Sequence, residues 1–245
     1  MNKSRTITLL VALLGTWIFQ ANANVVITGT RLVYPANERE ITVKTTNMGK
    51  EPSLVQVWVD RGNAKTRADD ANAPFLLTPP LVRIEPSKGQ AFRVVFTGEA
   101  LPKDRESLFW FNLLDVPPLP KDADANVMQV AYRSRIKLFY RPEGLVGDPI
   151  KAAESLSWSR GTPVKGRITL KVQNNSPYNV SLATVALKSG NARLKADDVA
   201  TLAPFSTQDI HLKGAATLPA GPASVNYTWV NDYGAAVEQT TPLTL

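Results

Sequence analysis

The stretch VMQVAYRSRIKLFY, residues 127–140, decides how the rest of the chain is read. It runs for 14 residues without a proline, a glycine or a turn pair. Extended at about 3.3 Å per residue it would span roughly 46 Å, where strands of five or six residues are usual. Successive side chains on a strand point to opposite faces. Met128, Val130, Tyr132, Ser134, Ile136, Leu138 and Tyr140 share one face, which is nearly all apolar. Gln129, Ala131, Arg133, Arg135, Lys137 and Phe139 share the other, mostly polar one. A sandwich of about 100 residues cannot cover the apolar face from end to end. Ile136 to Tyr140 can pack on their own core, and Met128 to Tyr132 then lie at or beyond its rim. Proteins normally blunt an apolar edge strand with charge or proline. This one is unblunted, which fits a strand that receives a partner, a long core strand bent over both sheets, or a dimer contact.

Outward from that stretch the chain reads as strands. Residues 25–34 precede the breaker Pro35-Ala36-Asn37, and Ile41, Val43 and Thr45 alternate before Asn47-Met48-Gly49. Residues 54–60 carry Val55, Val57 and Val59 on one face, as a half-buried strand does. Residues 92–96 and 108–114 are compact apolar runs whose turn signals and aromatics favour strand over helix. Beyond Pro142-Glu143-Gly144 the pattern restarts. Ile168, Leu170 and Val172 lead to the turn Asn174-Asn175-Ser176-Pro177, and residues 180–187, 225–230 and 237–245 follow. No segment carries an amphipathic helix of useful length. Two blocks of short, turn-bounded strands predict an all-β chain of two immunoglobulin-like β-sandwich domains, residues 24–144 and 145–245.

The first 23 residues stand apart. Lys3 and Arg5 precede an apolar run from Ile7 to Phe19, and Ala21-Asn22-Ala23 offers a small-x-small cleavage pattern. This is the pattern of a secretory signal peptide, too short in its apolar part to span a bilayer. Cleavage near Ala23 leaves 222 residues, and losing two bases from a net charge of +7 leaves +5. The sequence thus predicts an exported, mildly basic protein with no membrane insertion. With no cysteine in 245 residues, a disulfide scaffold, thiol catalysis and cysteine-bound zinc are excluded.

The sequence then reaches a resemblance. Asp104-Arg105-Glu106-Ser107-Leu108-Phe109-Trp110-Phe111-Asn112, followed by Pro117-Pro118 and by Arg135-Ile136-Lys137-Leu138-Phe139-Tyr140-Arg141-Pro142, resembles the periplasmic pilus-assembly chaperones of P pili and type 1 fimbriae. Thr30-Arg31-Leu32-Val33-Tyr34-Pro35, Thr78-Pro79-Pro80, Asn174 to Tyr178 and Asn231-Asp232-Tyr233-Gly234 resemble further landmarks of that family, in the same order. The resemblance covers essentially the whole chain after residue 23. It implies two immunoglobulin-like domains joined in an L and a periplasmic location. It also implies a non-enzymatic chaperone that lends a strand to fimbrial subunits and passes them to an outer-membrane usher.

The site residues implied by the resemblance fall into three sets. Arg31 and Lys137 match the pair that holds the client's C-terminal carboxylate, an acceptor-only group suited to fixed cationic donors. Met128, Val130 and Tyr132 match the alternating positions that fill the client's open groove. Tyr132 is bulkier than the aliphatic residue often found there, which implies a roomier client pocket with a place for a hydroxyl. Glu106, Arg141 and Asp232 match a charge network between the domains, of a kind worth about 0–1 kcal/mol if exposed. The breaker-rich connection 115–126 resembles the short-loop branch, which mainly assembles rod-like pili, and is expected to be mobile.

Other functions are poorly supported by the residues. His211 lies near Asp209 and Ser206, but no nucleophile elbow accompanies the trio. Asp69-Asp70 and Asp197-Asp198 lack calcium-loop spacing, and no glycine-rich phosphate loop occurs. No metal, cofactor or nucleic-acid partner is expected. A secreted immunoglobulin-like adhesin or structural pilin is the alternative, and whether the free protein covers its strand by self-association stays open.

Overall fold

The computed structural model describes residues 24–119, 129–164, 166–214 and 222–243. The signal-like segment and Met128 lie outside these residues. Strands dominate, and they form two sandwiches. In the first, β1 (Val25–Ile27), β3 (Ile41–Asn47), β7 (Gly89–Phe96) and β5 (Phe75–Thr78) make one sheet in the order β1-β3-β7-β5. The facing sheet has the order β2-β9-β8-β4-β6, from β2 (Arg31–Pro35), β9 (Tyr132–Arg141), β8 (Ser107–Val116), β4 (Ser53–Asp60) and β6 (Leu81–Ile84). The expected first strand, 25–34, is therefore two strands in two sheets, with Thr28 to Thr30 carrying the chain across.

The core between these sheets follows the alternation. Val55, Val57 and Val59 of β4 are buried against Phe109, Phe111 and Leu113 of β8, Leu138 of β9 and Phe92 and Val94 of β7. Tyr34 is buried at the end of the sandwich, packed edge-on to Phe75 and stacked on Tyr140 with ring centroids 5.9 Å apart. Its hydroxyl donates to Arg39 O (2.9 Å) and accepts from Phe96 N–H (3.1 Å), so a buried polar group is satisfied from both sides.

The second domain repeats the architecture. One sheet is β10 (Ser157–Arg160), β11 (Thr169–Asn174) and β15 (Ser206–His211); the other is β13 (Ala192–Lys195), β12 (Val180–Ser189), β16 (Ala223–Val230) and β17 (Ala236–Pro242), with β14 (Thr201–Leu202) beside β12. Trp158, Leu170, Val185, Tyr227 and Trp229 fill its core. A six-residue helix, α1 (Pro149–Glu154), enters this domain. Asp148 caps it by accepting from Ile150 and Lys151 N–H, and Pro149 occupies a first-turn position that needs no donor. Too short to show a helical period, it is absent from the strand-only sequence reading. Among the described residues no helix is long and apolar enough to cross a membrane.

The two domains end corresponding strands on the same device. Asn47, last residue of β3, donates to Glu51 O and Ile84 O and accepts from Gly49 N–H. Asn174, last residue of β11, donates to Tyr178 O and Ala203 O and accepts from Ser176 N–H and its hydroxyl. Both side chains are buried and stand in for main-chain partners where the ladder stops.

Candidate functional site where the two domains meet

β9 is the strand on which the site is built, and the structure shortens it. The hydrogen-bonded ladder begins at Tyr132, opposite Asp115, rather than at residue 127. Gln129, Val130 and Ala131 lie outside any strand. The reason is the partner: β8 ends at Val116, and the proline pair Pro117-Pro118 cannot extend its ladder. The connection expected at 115–126 consequently starts later, since Asp115 and Val116 are strand. Residues 120–126 lie outside the described residues.

β9 is also held asymmetrically. Antiparallel β8 pairs with it from Tyr132 to Tyr140. Parallel β2 pairs with it only from Lys137 to Arg141. Among the described residues, positions 132–136 therefore have no strand on their second edge. At this end Val130 is 44% exposed and Tyr132 36%, whereas Leu138 is fully buried. The apolar face thus runs out of its own core into solvent.

The β2–β9 register sets Arg31 opposite Lys137. Each reaches across to the second domain. Arg31 Nη1 donates to Val230 O at 2.6 Å, and Lys137 Nζ donates to Ser181 Oγ at 2.9 Å. Arg31 Nε is buried and has no hydrogen-bond partner. Among the described residues no carboxylate lies within ion-pair distance of Lys137, whose ammonium also sits 5.9 Å from the centroid of Trp110. Burial and the neighbouring Arg31 charge push the Lys137 ammonium down to about 8. Burial lowers Arg31 as well, against the pull of Asp232. Lys137 has lost water without gaining an acid, and Arg31 feels only the charge of Asp232 without an ion pair to it, so the two cations form an electrostatically unfinished pair, which an anion would complete. A cleft of about 240 Å³ opens beside Arg31, lined also by Phe139, Ser181, Trp229, Val230 and Asp232 among others.

Glu106, Arg141 and Asp232 come together as one cluster. Arg141 Nε donates to Glu106 Oε1 at 2.7 Å and its Nη1 to Asp232 Oδ2 at 2.9 Å. The second Glu106 oxygen accepts from Asn179 N–H at 2.8 Å and its side-chain amide at 3.2 Å. Burial works against the Arg141 charge, but the two carboxylates outweigh it and raise its pKa. Glu106 is only 4% exposed, so this is not the exposed network of the sequence reading. Tyr178 packs on the Arg141 guanidinium at 5.4 Å. Gly234, at φ +85°, lets the turn that bears Asp232 close on the first domain, because a Cβ there would meet Thr30 Oγ1 at 2.5 Å.

Ser181, Val230 and Asn179 complete this region and were not singled out from the sequence. They face the site through folding of the second domain, and no local pattern marks them. The trio around His211 stays apart: His211 Nδ1 pairs with Thr169 Oγ1 (3.0 Å), and the Ser206 hydroxyl donates to Ala203 O. Asp197 is engaged by Arg167, and Asp69 and Asp70 lie in a 3₁₀ turn.

Comparisons with known proteins give the family. Residues 24–146 match the family model described as pili and flagellar-assembly chaperone, PapD N-terminal domain, and residues 151–241 match pili assembly chaperone PapD, C-terminal domain. The chain is 42% identical over 228 residues to chaperone protein FimB/FhaD of Bordetella pertussis, covering 91% of this chain and 89% of that one. It is 43% identical over 226 residues to chaperone protein HifB of Haemophilus influenzae, covering 90% and 88%. Among solved structures, the YadV chaperone matches with a TM-score of 0.78 at 38% identity, over 90% of this chain and 100% of the other. The Salmonella enterica SafB chaperone, solved with the SafA pilin, matches with a TM-score of 0.75 at 26% identity, over 91% and 98%. With both domain models matched in order and relatives this similar along nearly their full lengths, the chain belongs to the PapD family of pilus-assembly chaperones.

Proposed function

We propose that this protein is a periplasmic chaperone that captures fimbrial subunits, lends each one a strand and delivers it to an outer-membrane usher. The observation that carries the reading is the desolvated Arg31–Lys137 pair, in which Lys137 has no acid, beside a strand that among the described residues has no neighbour on its outer edge from 132 to 136. A subunit lacking its last strand would offer main-chain groups to that edge and its C-terminal carboxylate to the two cations. Met128, Val130 and Tyr132 would enter its groove. Burying three such side chains contributes about 5–9 kcal/mol gross before ordering and association costs. Glu106, Arg141 and Asp232 would hold the domains at the angle the subunit needs. Export through a signal peptide cleaved near Ala23 fits this role, as does a division of the mature chain into domains 24–144 and 145–245. No catalytic step is required, because exchange of the lent strand for that of the next subunit can supply the driving force.

The decisive experiment is co-purification of a pilin subunit from the periplasm with Lys137→Ala and Arg31→Ala. Both variants should remain folded and lose at least tenfold in captured subunit. Capture at the unsubstituted level by both would reject the anchor.

A further inference from the structure

The outer face of the first domain's larger sheet carries a polar cluster that the anchor does not use. At its centre Asp60, the last residue of β4, is 0% exposed. Its Oδ1 accepts from Arg135 Nη2 (2.7 Å) and Gly62 N–H (2.7 Å). Its Oδ2 accepts from Arg135 Nε (3.2 Å) and Asn112 Nδ2 (2.8 Å), with Arg133 Nη2 at 3.6 Å. Asn112 relays the cluster onward, its Oδ1 accepting from Arg133 Nε (3.0 Å) and Nη2 (2.6 Å). The remaining Arg133 amino group donates to Ala64 O at 2.7 Å. Each guanidinium also lies over an indole: Arg133 over Trp58 at 4.7 Å and Arg135 over Trp110 at 4.0 Å. Burial would raise the Asp60 carboxyl, but the bonds from Arg135, Asn112 and Gly62 and the Arg135 charge hold it below its ordinary value. It is therefore a fixed negative charge.

The position of this cluster in the sheet gives it a meaning. Asp60 is on β4 and both arginines are on β9, with β8 between them, so the two side chains cross a whole strand to reach it. They leave β9 at positions 133 and 135, within the segment where β2 does not pair with it. Backbone bonds to β8 alone would leave that segment weakly held, as one-sided strand ends are. A slip of one residue would turn both arginines into the core. A slip of two would carry the Arg135 fork about 7 Å along the strand, bringing Lys137 or Arg133 to its place. Lys cannot reproduce a two-nitrogen contact with both carboxylate oxygens, and Arg133 would have to abandon Asn112 and Ala64.

We infer that Asp60 is a positioning residue for the lent strand: through Arg135, Arg133 and Asn112 it fixes the register and stiffness of residues 132–136, and so the distance between the groove-filling side chains and the Arg31–Lys137 anchor. This rests on the chaperone reading above. It assigns the polar face of β9 to holding the strand in place before any subunit arrives, so that less ordering cost falls on capture.

The test uses the full chain carrying Asp60→Asn or Arg135→Met. The second variant keeps apolar cover on Trp110 and leaves Asp60 its bonds from Asn112 and Gly62, so it stays folded even if the first does not. In the free protein, those amides of residues 132–136 that bond to β8 should exchange hydrogen at least tenfold faster, with residues 137–141 and the second domain unchanged. A pilin subunit that the unsubstituted chain co-purifies should dissociate about tenfold faster. Unchanged exchange at 132–136, or acceleration spread over both domains, would overturn the inference, as would normal dissociation alongside faster local exchange. If the unsubstituted chain captures no pilin, the chaperone reading fails by itself, and the local exchange result still decides whether Asp60 holds the strand.

Discussion

Lys137 stands opposite Arg31 across the parallel β2–β9 pair, so two positive charges are held side by side, with Asp232 acting on Arg31 and no acid on Lys137. Such an arrangement is costly in the free protein and makes an anion the missing component. The consequence is a pH dependence of definite sign. Lys137 has a folded pKa of about 8 against an ordinary 10.5. Between those values the unfolded chain binds more protons than the folded one, so the Lys137 contribution to stability rises with pH through this window. Capture runs the other way. A client carboxylate needs the ammonium, so affinity for a co-purified pilin should be level below pH 7.5 and fall about tenfold per unit above pH 8. Lys137→Arg should flatten the profile. Titration of the dissociation constant from pH 6.5 to 9.5 decides it, and a level curve for the unsubstituted protein would remove Lys137 from the anchor.

Val130 is 44% exposed and outside any strand of its own domain. Val130→Asp should therefore leave the thermal midpoint within about 2 °C, as surface changes usually do. Subunit capture should fall at least tenfold, because a charge would be driven into the client's apolar groove. A large fall in the midpoint would place Val130 in the protein's own core.

Removing Arg141 strands a buried acid. Arg141→Met leaves Glu106 with only the Asn179 donors and should cost about 3 kcal/mol, in the range for a buried pair broken from one side. Glu106→Gln, which keeps a hydrogen-bonding side chain, should cost less. Calorimetry of the Met variant should show the two domains melting as separate transitions. One transition shifted by less than 0.5 kcal/mol, an approximate bound for surface changes, would show the network to be incidental.

Asn47→Ala and Asn174→Ala each remove a buried amide that satisfies two carbonyls and a main-chain N–H. Each should destabilise its domain by about 2–3 kcal/mol, measured by urea unfolding. A cost below about 0.5 kcal/mol at either site would mean that water replaces the side chain without penalty.

Strands with a clean alternation were readable because burial on one face leaves a period of two in the residues. Residues 41–45 and 54–60 are of this kind, whereas 108–114, a continuous apolar run, is marked as strand by its turn signals and aromatics. Residues 75–78 and 81–84 were missed: each is four residues long and they flank Pro79-Pro80, so neither shows a period. β15, Ser206–His211, shows no apolar alternation because only Ile210 is buried, so its limits are not marked in the sequence. The long stretch at 127–140 shows both what alternation gives and where it stops. It revealed which side chains share a face, but not that the ladder begins at Tyr132, which depends on where β8 ends. The site was legible in the same limited way. Arg31, Lys137, Glu106, Arg141 and Asp232 emerged only through the family resemblance. Asp60, Asn112 and Ser181 owe their roles to neighbours far away in the chain, which no local pattern records.

The uneven fastening of β9 has one more consequence. The half from Lys137 onward belongs to the protein's own architecture, gripped from both sides, while the half before it reaches the core only through Ile136. Departure of a guest from that outer half opens no cavity and breaks no internal packing. Pairing of that outer half with a guest can therefore be made and undone while the doubly gripped half stays in place.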